Sequence, residues 1–146
     1  MSEAFDSTNR ASDENTAGTP SRARAGDADL AQRTAELAAE RKALDIVVID
    51  LTGRSSVTDY FVLATGRSDV QVQAICERVV EGLRERNERP LAVEGLENGQ
   101  WALLDYGDVV VHVFQKATRE LYDLERLWAE APRWTYDGGS AIGMHT

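Results

Sequence analysis

Between Trp101 and Phe114 the chain reads WALLDYGDVVVHVF, and few folds can accommodate such a stretch. It predicts two short strands joined by a tight turn at Tyr106-Gly107-Asp108. Gly107 can take a positive φ there without a Cβ penalty, and a flanking Asp can accept from the turn's amides. Alternation places Val109, Val111 and Val113 on one face of the second strand and Val110, His112 and Phe114 on the other. Both faces are largely apolar, which predicts a strand buried from above and below, as in the middle of an α/β sheet. On the first strand Trp101, Leu103 and Asp105 share a face, so an aromatic and a carboxylate are expected to look out together.

A chain of 146 residues with 42% apolar residues suffices for one domain with a real core. The formal net charge is −9, from 25 acidic and 16 basic residues. Nucleic-acid binding relies on Lys and Arg displacing counterions, so a non-specific grip on RNA, DNA or an anionic membrane is not expected. A basic protein partner suits this charge. Cys76 stands alone and can form no internal disulfide. The N-terminus lacks the apolar stretch of a signal peptide, and no apolar run approaches the roughly 20 residues that span a bilayer, so a cytoplasmic chain is expected.

Residues 1–27, rich in small and polar side chains, are expected to form a disordered tail. The folded domain is expected over 28–134, with a glycine-rich, frayed C-terminal tail over 135–146. Within the domain, Leu30, Thr34, Leu37, Ala38 and Arg41 predict a helix from Asp29 to about Lys42, capped by Asp27 or Asp29. Asp45 to Leu51 predicts a buried strand, and Tyr60 to Thr65 a second one paired antiparallel to it across a short polar loop. Beyond Gly66, Ser68 or Asp69 can cap a helix whose Val72, Ile75, Cys76, Val79, Val80 and Leu83 form one apolar stripe. A third strand, Leu91 to Glu94, comes after a crossover helix and is expected to lie parallel to the second. After Phe114, Thr118 is positioned to cap a helix with a packing stripe of Leu121, Tyr122, Leu124, Leu127 and Trp128. The sum is a single-domain α/β fold, a mixed sheet of about five strands covered by three helices.

Two constellations invite an enzymatic reading. Gly66-Arg67-Ser68 lies at a strand-to-helix junction, where free amides can hold a phosphate. Asp105 and Asp108, with Asp45, Asp50 and Asp59, offer carboxylates for a metal. Two metal-binding carboxylates on one strand need i, i+2 spacing, and no predicted strand carries Asp-x-Asp. Asp105 and Asp108 flank a turn, where charged residues usually serve geometry. His112 sits mid-strand with no nucleophile beside it and reads as a buried, hydrogen-bonded core residue. Trp101 opens its strand, where burial is usually incomplete, and is either a core lid or an anchor for a partner. No metal, cofactor or catalytic group is expected.

Ser55-Ser56-Val57-Thr58-Asp59-Tyr60, Thr65-Gly66 with Ser68, Glu94-Gly95, the run Trp101 to Phe114, and Leu121 to Trp128 occur in an order and spacing that resembles the bacterial and organellar ribosomal silencing factors, the Iojap-like proteins. The resemblance spans about Leu30 to Trp134. It implies a nucleotidyltransferase-like fold without catalytic carboxylates, and a non-enzymatic repressor of translation. Such proteins bind the large ribosomal subunit through its protein L fourteen and block an intersubunit bridge. The contact surface it implies includes Trp101, Leu103, Asp105, Tyr106, Gly107 and Asp108, joined by Tyr122 and Leu124. The alternatives are a metal-dependent nucleotidyltransferase-like enzyme and a large-subunit assembly factor. Homodimer formation is left open.

Overall fold

The computed structural model describes residues 25–137 and 141–145. The greater part of the expected N-terminal tail lies outside them. Helix α1 (Ala25–Glu40) begins four residues before the expected start, so Asp27 is not its cap. It sits instead in the first turn, where a carboxylate meets the positive end of the helix dipole. Leu30, Ala31, Ala35, Leu37 and Ala38 are buried, and Thr34 joins them by donating its hydroxyl to the Leu30 carbonyl at 2.8 Å.

Strands β1 (Leu44–Asp50) and β2 (Tyr60–Gly66) pair antiparallel, as expected. Helix α2 (Asp69–Arg84) is capped by Ser68, whose hydroxyl accepts from the Gln71 amide, and its stripe of Val72, Ile75, Cys76, Val79 and Leu83 is buried. Strands β3 (Ala92–Glu94), β4 (Trp101–Asp105) and β5 (Val109–Gln115) come next. The β4–β5 hairpin closes with the Tyr106 amide donating to the Val109 carbonyl at 2.9 Å and Gly107 at φ +92°.

The β3 expectation needs a correction. That strand does run in the direction of β2, but it does not touch it. The sheet order is β3-β4-β5-β2-β1, continued by two further strands, so the hairpin fills the space between. The parallel neighbour of β2 is β5, in register from Tyr60 opposite Val109 to Gly66 opposite Gln115.

The C-terminal third departs further from expectation. Helix α3 (Lys116–Tyr122) leaves β5 directly, with Gln115 rather than Thr118 at its cap position and no side-chain cap bond. Asp123 then takes a left-handed conformation (φ 50°, ψ 54°), which ends α3 and starts the single-turn α4 (Leu124–Leu127). One expected helix is therefore two short ones set at a break. The segment expected to fray from Thr135 instead extends the sheet. Strand β6 (Arg133–Tyr136) pairs antiparallel with β1, and β7 (Ala141–His145) pairs with β6. Among the described residues the sheet has seven strands.

Helices α1 and α2 cover one face of this sheet, over Val48, Val62, Ala64, Ala102, Leu104, Val109, Val111 and Val113. The other face buries Val47, Ile49, Leu51, Leu63 and Phe114 beneath a thinner cover to which Leu124, Trp128 and Ala131 contribute. Every residue of β5 from Val109 to Phe114 is buried, so both faces of the central strand are closed.

Entry to the hairpin depends on Gly95, at φ +76°, where an added Cβ would lie 2.0 Å from the Trp101 carbonyl oxygen. At Gly107 an added Cβ would meet only the Leu91 side chain, at 3.4 Å. Gly107→Ala is therefore expected to lose about 1–2 kcal/mol, the strain of a left-handed residue with a Cβ. Gly95→Ala adds a backbone collision and must lose clearly more. Urea unfolding of the two variants checks the ranking, and an equal or inverted order would contradict it.

Candidate functional site

The register across the β4–β5 hairpin sets Trp101 opposite Phe114 and Leu103 opposite His112, all on the thinly covered face. The indole Nε1 of Trp101 donates to Nδ1 of His112 at 3.1 Å. Trp101 also packs 4.7 Å from the Tyr122 ring and 5.7 Å from Phe114, centroid to centroid. Phe61 meets His112 at 4.6 Å with its plane at 68°, and Trp128 at 6.4 Å with its plane at 88°, both edge-on as ring quadrupoles favour. His112 is only 4% exposed, and burial pushes its pKa down to about 3. It is buried and hydrogen-bonded, as the sequence leads one to expect; burial favours the neutral ring, and accepting at Nδ1 places its proton on Nε2.

Three large side chains of the segment after β5 are exposed. Tyr122 is 55% exposed, Leu121 75% and Leu127 71%. The sequence pattern places all three in the packing stripe of one continuous helix. The break at Asp123 alters which residues reach the sheet: Leu124 and Trp128 pack against the core, while the other three remain outside. Trp101, half-buried, is both core and surface.

The other expected contact residues do not join this patch. Asp105 is 1% exposed and so does not look out beside Trp101. Its Oδ1 accepts from the Gly107 amide at 2.8 Å, the turn-stabilising role of a flanking carboxylate. Burial raises its pKa, the Gly107 amide opposes the rise, and the Glu94 charge adds to it. Tyr106 belongs to the opposite, helix-covered core, where burial pushes its phenol up to about 12. Gly107 and Asp108 are half-exposed at the turn, at the far end of β4 from Trp101. Four residue steps of roughly 3.3 Å put the two ends about 13 Å apart. Of the expected contact residues, Trp101 and Tyr122 meet ring to ring, Leu103 shares the strand face of Trp101, and Leu124 packs against the same core as Trp101.

Arg119 escapes a reading of the sequence, because nothing marks a functional arginine in a short helix. It is 8% exposed and uses four donor positions. Nε and Nη2 grip Glu125 at 3.1 and 2.8 Å, and Nη1 reaches the Asp45 carbonyl at 2.7 Å and the Thr65 hydroxyl at 2.8 Å. The guanidinium also lies over Phe114, 5.7 Å from the ring centre. Beside it opens a cleft of about 590 Å³, whose walls include Asp45, Lys116, Glu120, Asp123, Glu125 and Asp137.

The enzymatic constellations look different in three dimensions. At the N-terminus of α2 the chain's own side chains use the amides a phosphate would need: Arg67 donates to Gln71, Val70 to Asp69 and Gln71 to Ser68. The fold also gathers carboxylates that no local spacing announces. Asp27, Asp59 and Asp108 bring one oxygen each within 4.8 Å of the others. All three take part in other interactions within the chain.

A family model described as "Ribosomal silencing factor during starvation" matches residues 24–143. The chain is 43% identical over 100 residues to the Ribosomal silencing factor RsfS of Bacillus subtilis, covering 68% of this chain and 85% of that one. It is 34% identical to the mouse protein named Mitochondrial assembly of ribosomal large subunit protein 1, over 61% of this chain and 40% of that one. Among solved structures, a Chromobacterium violaceum protein superposes with a TM-score of 0.65 at 38% identity, covering 71% of this chain and 84% of its own.

His112 and Asp105, both buried, make opposite pH predictions. His112 has a folded pKa below its ordinary 6.5, so its share of stability is full above 6.5 and is lost as pH falls toward about 3. Asp105 has a raised folded pKa, so its share is present at acid pH and lost as pH rises through that pKa. The stability of Asp105→Asn relative to wild type should therefore increase from acid to neutral pH. That of His112→Phe should increase from neutral toward acid pH. Denaturant unfolding across the range reads both, and a flat difference in either case contradicts the assigned burial.

Proposed function

The chain belongs to the ribosomal silencing factor family, and from that membership we propose that it is a non-enzymatic repressor of translation. In this reading it binds the large ribosomal subunit through protein L fourteen and stands where the small subunit must dock. Subunit joining is then blocked by bulk alone, in the cytoplasm.

The observation that carries the proposal is the aromatic platform of Trp101 and Tyr122, 4.7 Å apart, with Leu121 and Leu127 exposed on the same two short helices. An exposed aromatic pair on a small domain is a candidate interaction site, because Trp and Tyr are the residues that anchor interfaces. The acidic balance supports a basic protein partner set within RNA: phosphate repels the remainder of the molecule, so one patch supplies the grip. The satisfied amides at the start of α2 and the turn role of Asp105 both weigh against nucleotide chemistry.

A second reading, a large-subunit assembly factor, is favoured by the name of the mouse relative. It would use the same platform, and the type of particle bound separates the two.

Sedimentation through sucrose gradients tests the proposal. Purified protein should travel with free large subunits and lower the yield of joined ribosomes. Tyr122→Ala removes an exposed ring and should weaken that association about tenfold or more, with little change in melting temperature. Failure to travel with large subunits, or binding that leaves joining unaffected, would refute the reading.

A further inference from the structure

An indole carries one polar atom, the Nε1 hydrogen, and it can only donate. On a half-exposed tryptophan that donor would ordinarily face water or a partner. Here it is turned inward to His112 Nδ1 at 3.1 Å. His112 can serve as a fixed acceptor because it is itself immobilised. It sits in mid-strand in β5, 4% exposed, with Phe61 against it edge-on at 4.6 Å and Phe114 at 6.1 Å. The indole is thus held from beneath by a hydrogen bond, with Phe114 at 5.7 Å and Tyr122 at 4.7 Å as ring neighbours. The side chain's rotamer is therefore set before any partner arrives, and the surface it offers is ring rather than donor.

We propose that His112 is a positioning residue for the docking face: it fixes the Trp101 indole and turns its N–H inward, so that the partner meets the ring. This rests on the docking role proposed for the platform, and it specifies what the platform can read. A ring face and edge accept aliphatic side chains or the stem and head of a Lys or Arg, through packing and cation–π attraction. They do not select for a hydrogen-bond acceptor. A basic protein surface meets that description, and a bare phosphate does not.

The experiment combines exchange measurements on ¹⁵N-labelled indoles with a double-mutant cycle read by large-subunit binding. In the wild-type chain the Trp101 indole hydrogen should exchange with solvent markedly more slowly than in His112→Phe, which removes the acceptor. His112→Phe should weaken binding about three- to tenfold, the loss expected when one large side chain must be ordered on contact. His112→Asn, which offers Oδ1 near the position of Nδ1, should restore most of both. In a Trp101→Phe background, which has no N–H to position, His112→Phe should have no further effect on binding. The Trp128 and Trp134 indole signals and the melting temperature report whether each variant is folded, and His112→Leu serves as a second acceptor-free variant.

Exchange of the wild-type Trp101 hydrogen at the solvent rate overturns the proposal without any variant. So does an equal loss of binding from His112→Phe in both backgrounds, or no loss in either. Absence of binding by the wild-type chain overturns the docking reading and this role together. That outcome is distinct, because it appears before any substitution is made.

Discussion

A strand whose side chains are buried on both faces must be covered twice, and β5 places that demand on the rest of the chain. Val109, Val111 and Val113 are covered by α1 and α2, two sixteen-residue helices that pack on each other as well as on the sheet. Val110, His112 and Phe114 need a second cover, and the segment immediately C-terminal to β5 contributes to it. Helix α3 starts at Lys116, directly beyond the strand, and α4 with Trp128 packs back over the same face. The two layers are unequal. One is a full helical layer, while the other consists of short, broken pieces that leave the Trp101 and Tyr122 rings partly in solvent. The candidate docking face is the thin side of an asymmetric sandwich.

How much of the fold is legible in the sequence depends on the range of the interactions involved. The hairpin and the apolar stripe of α2 are determined by residues within a few positions of each other, and the buried, bonded His112 follows from the hairpin, which pairs it with Trp101 eleven positions away; all three are found as expected. Ser68 as a cap belongs in the same class. The break at Asp123 is not legible, because a left-handed aspartate differs from a helical one only in a backbone angle that composition does not report. Its consequence for Leu121, Tyr122 and Leu127 is hidden with it. Strand β6 is four residues long, too short for alternation to announce it, and it is a strand because β1 has a free edge for it to pair with. The displacement of β3 to the sheet edge has the same origin, since strand order is decided by which edge the later hairpin occupies.

The site shows the same division. Trp101 and Tyr122 stand out in the sequence, and they do come together, at 4.7 Å. Strand parity sets Asp105 beside Trp101, and the parity is correct. Parity alone cannot show that the neighbourhood of Asp105 is closed, nor that Tyr106 faces the other core. Long-range gatherings are invisible for a simpler reason. Asp27, Asp59 and Asp108 come from a helix, a loop and a turn, and Arg119 meets Asp45 across 74 positions of sequence.

That last contact also bears on how quickly a partner could engage. The Arg119 guanidinium joins α3, the acid of Glu125 beyond the helix break, the β1 backbone and the Thr65 hydroxyl of β2, and it rests on Phe114. A planar fork with donors on three nitrogens can tie so many elements at once, where a lysine ammonium would be a single point of attachment. Two short helices that would fray in isolation are pinned to β1, β2 and β5 of the sheet. An encounter with such a surface involves little folding on contact. Its rate should be governed by diffusion and charge, and its lifetime by how well rigid shapes match.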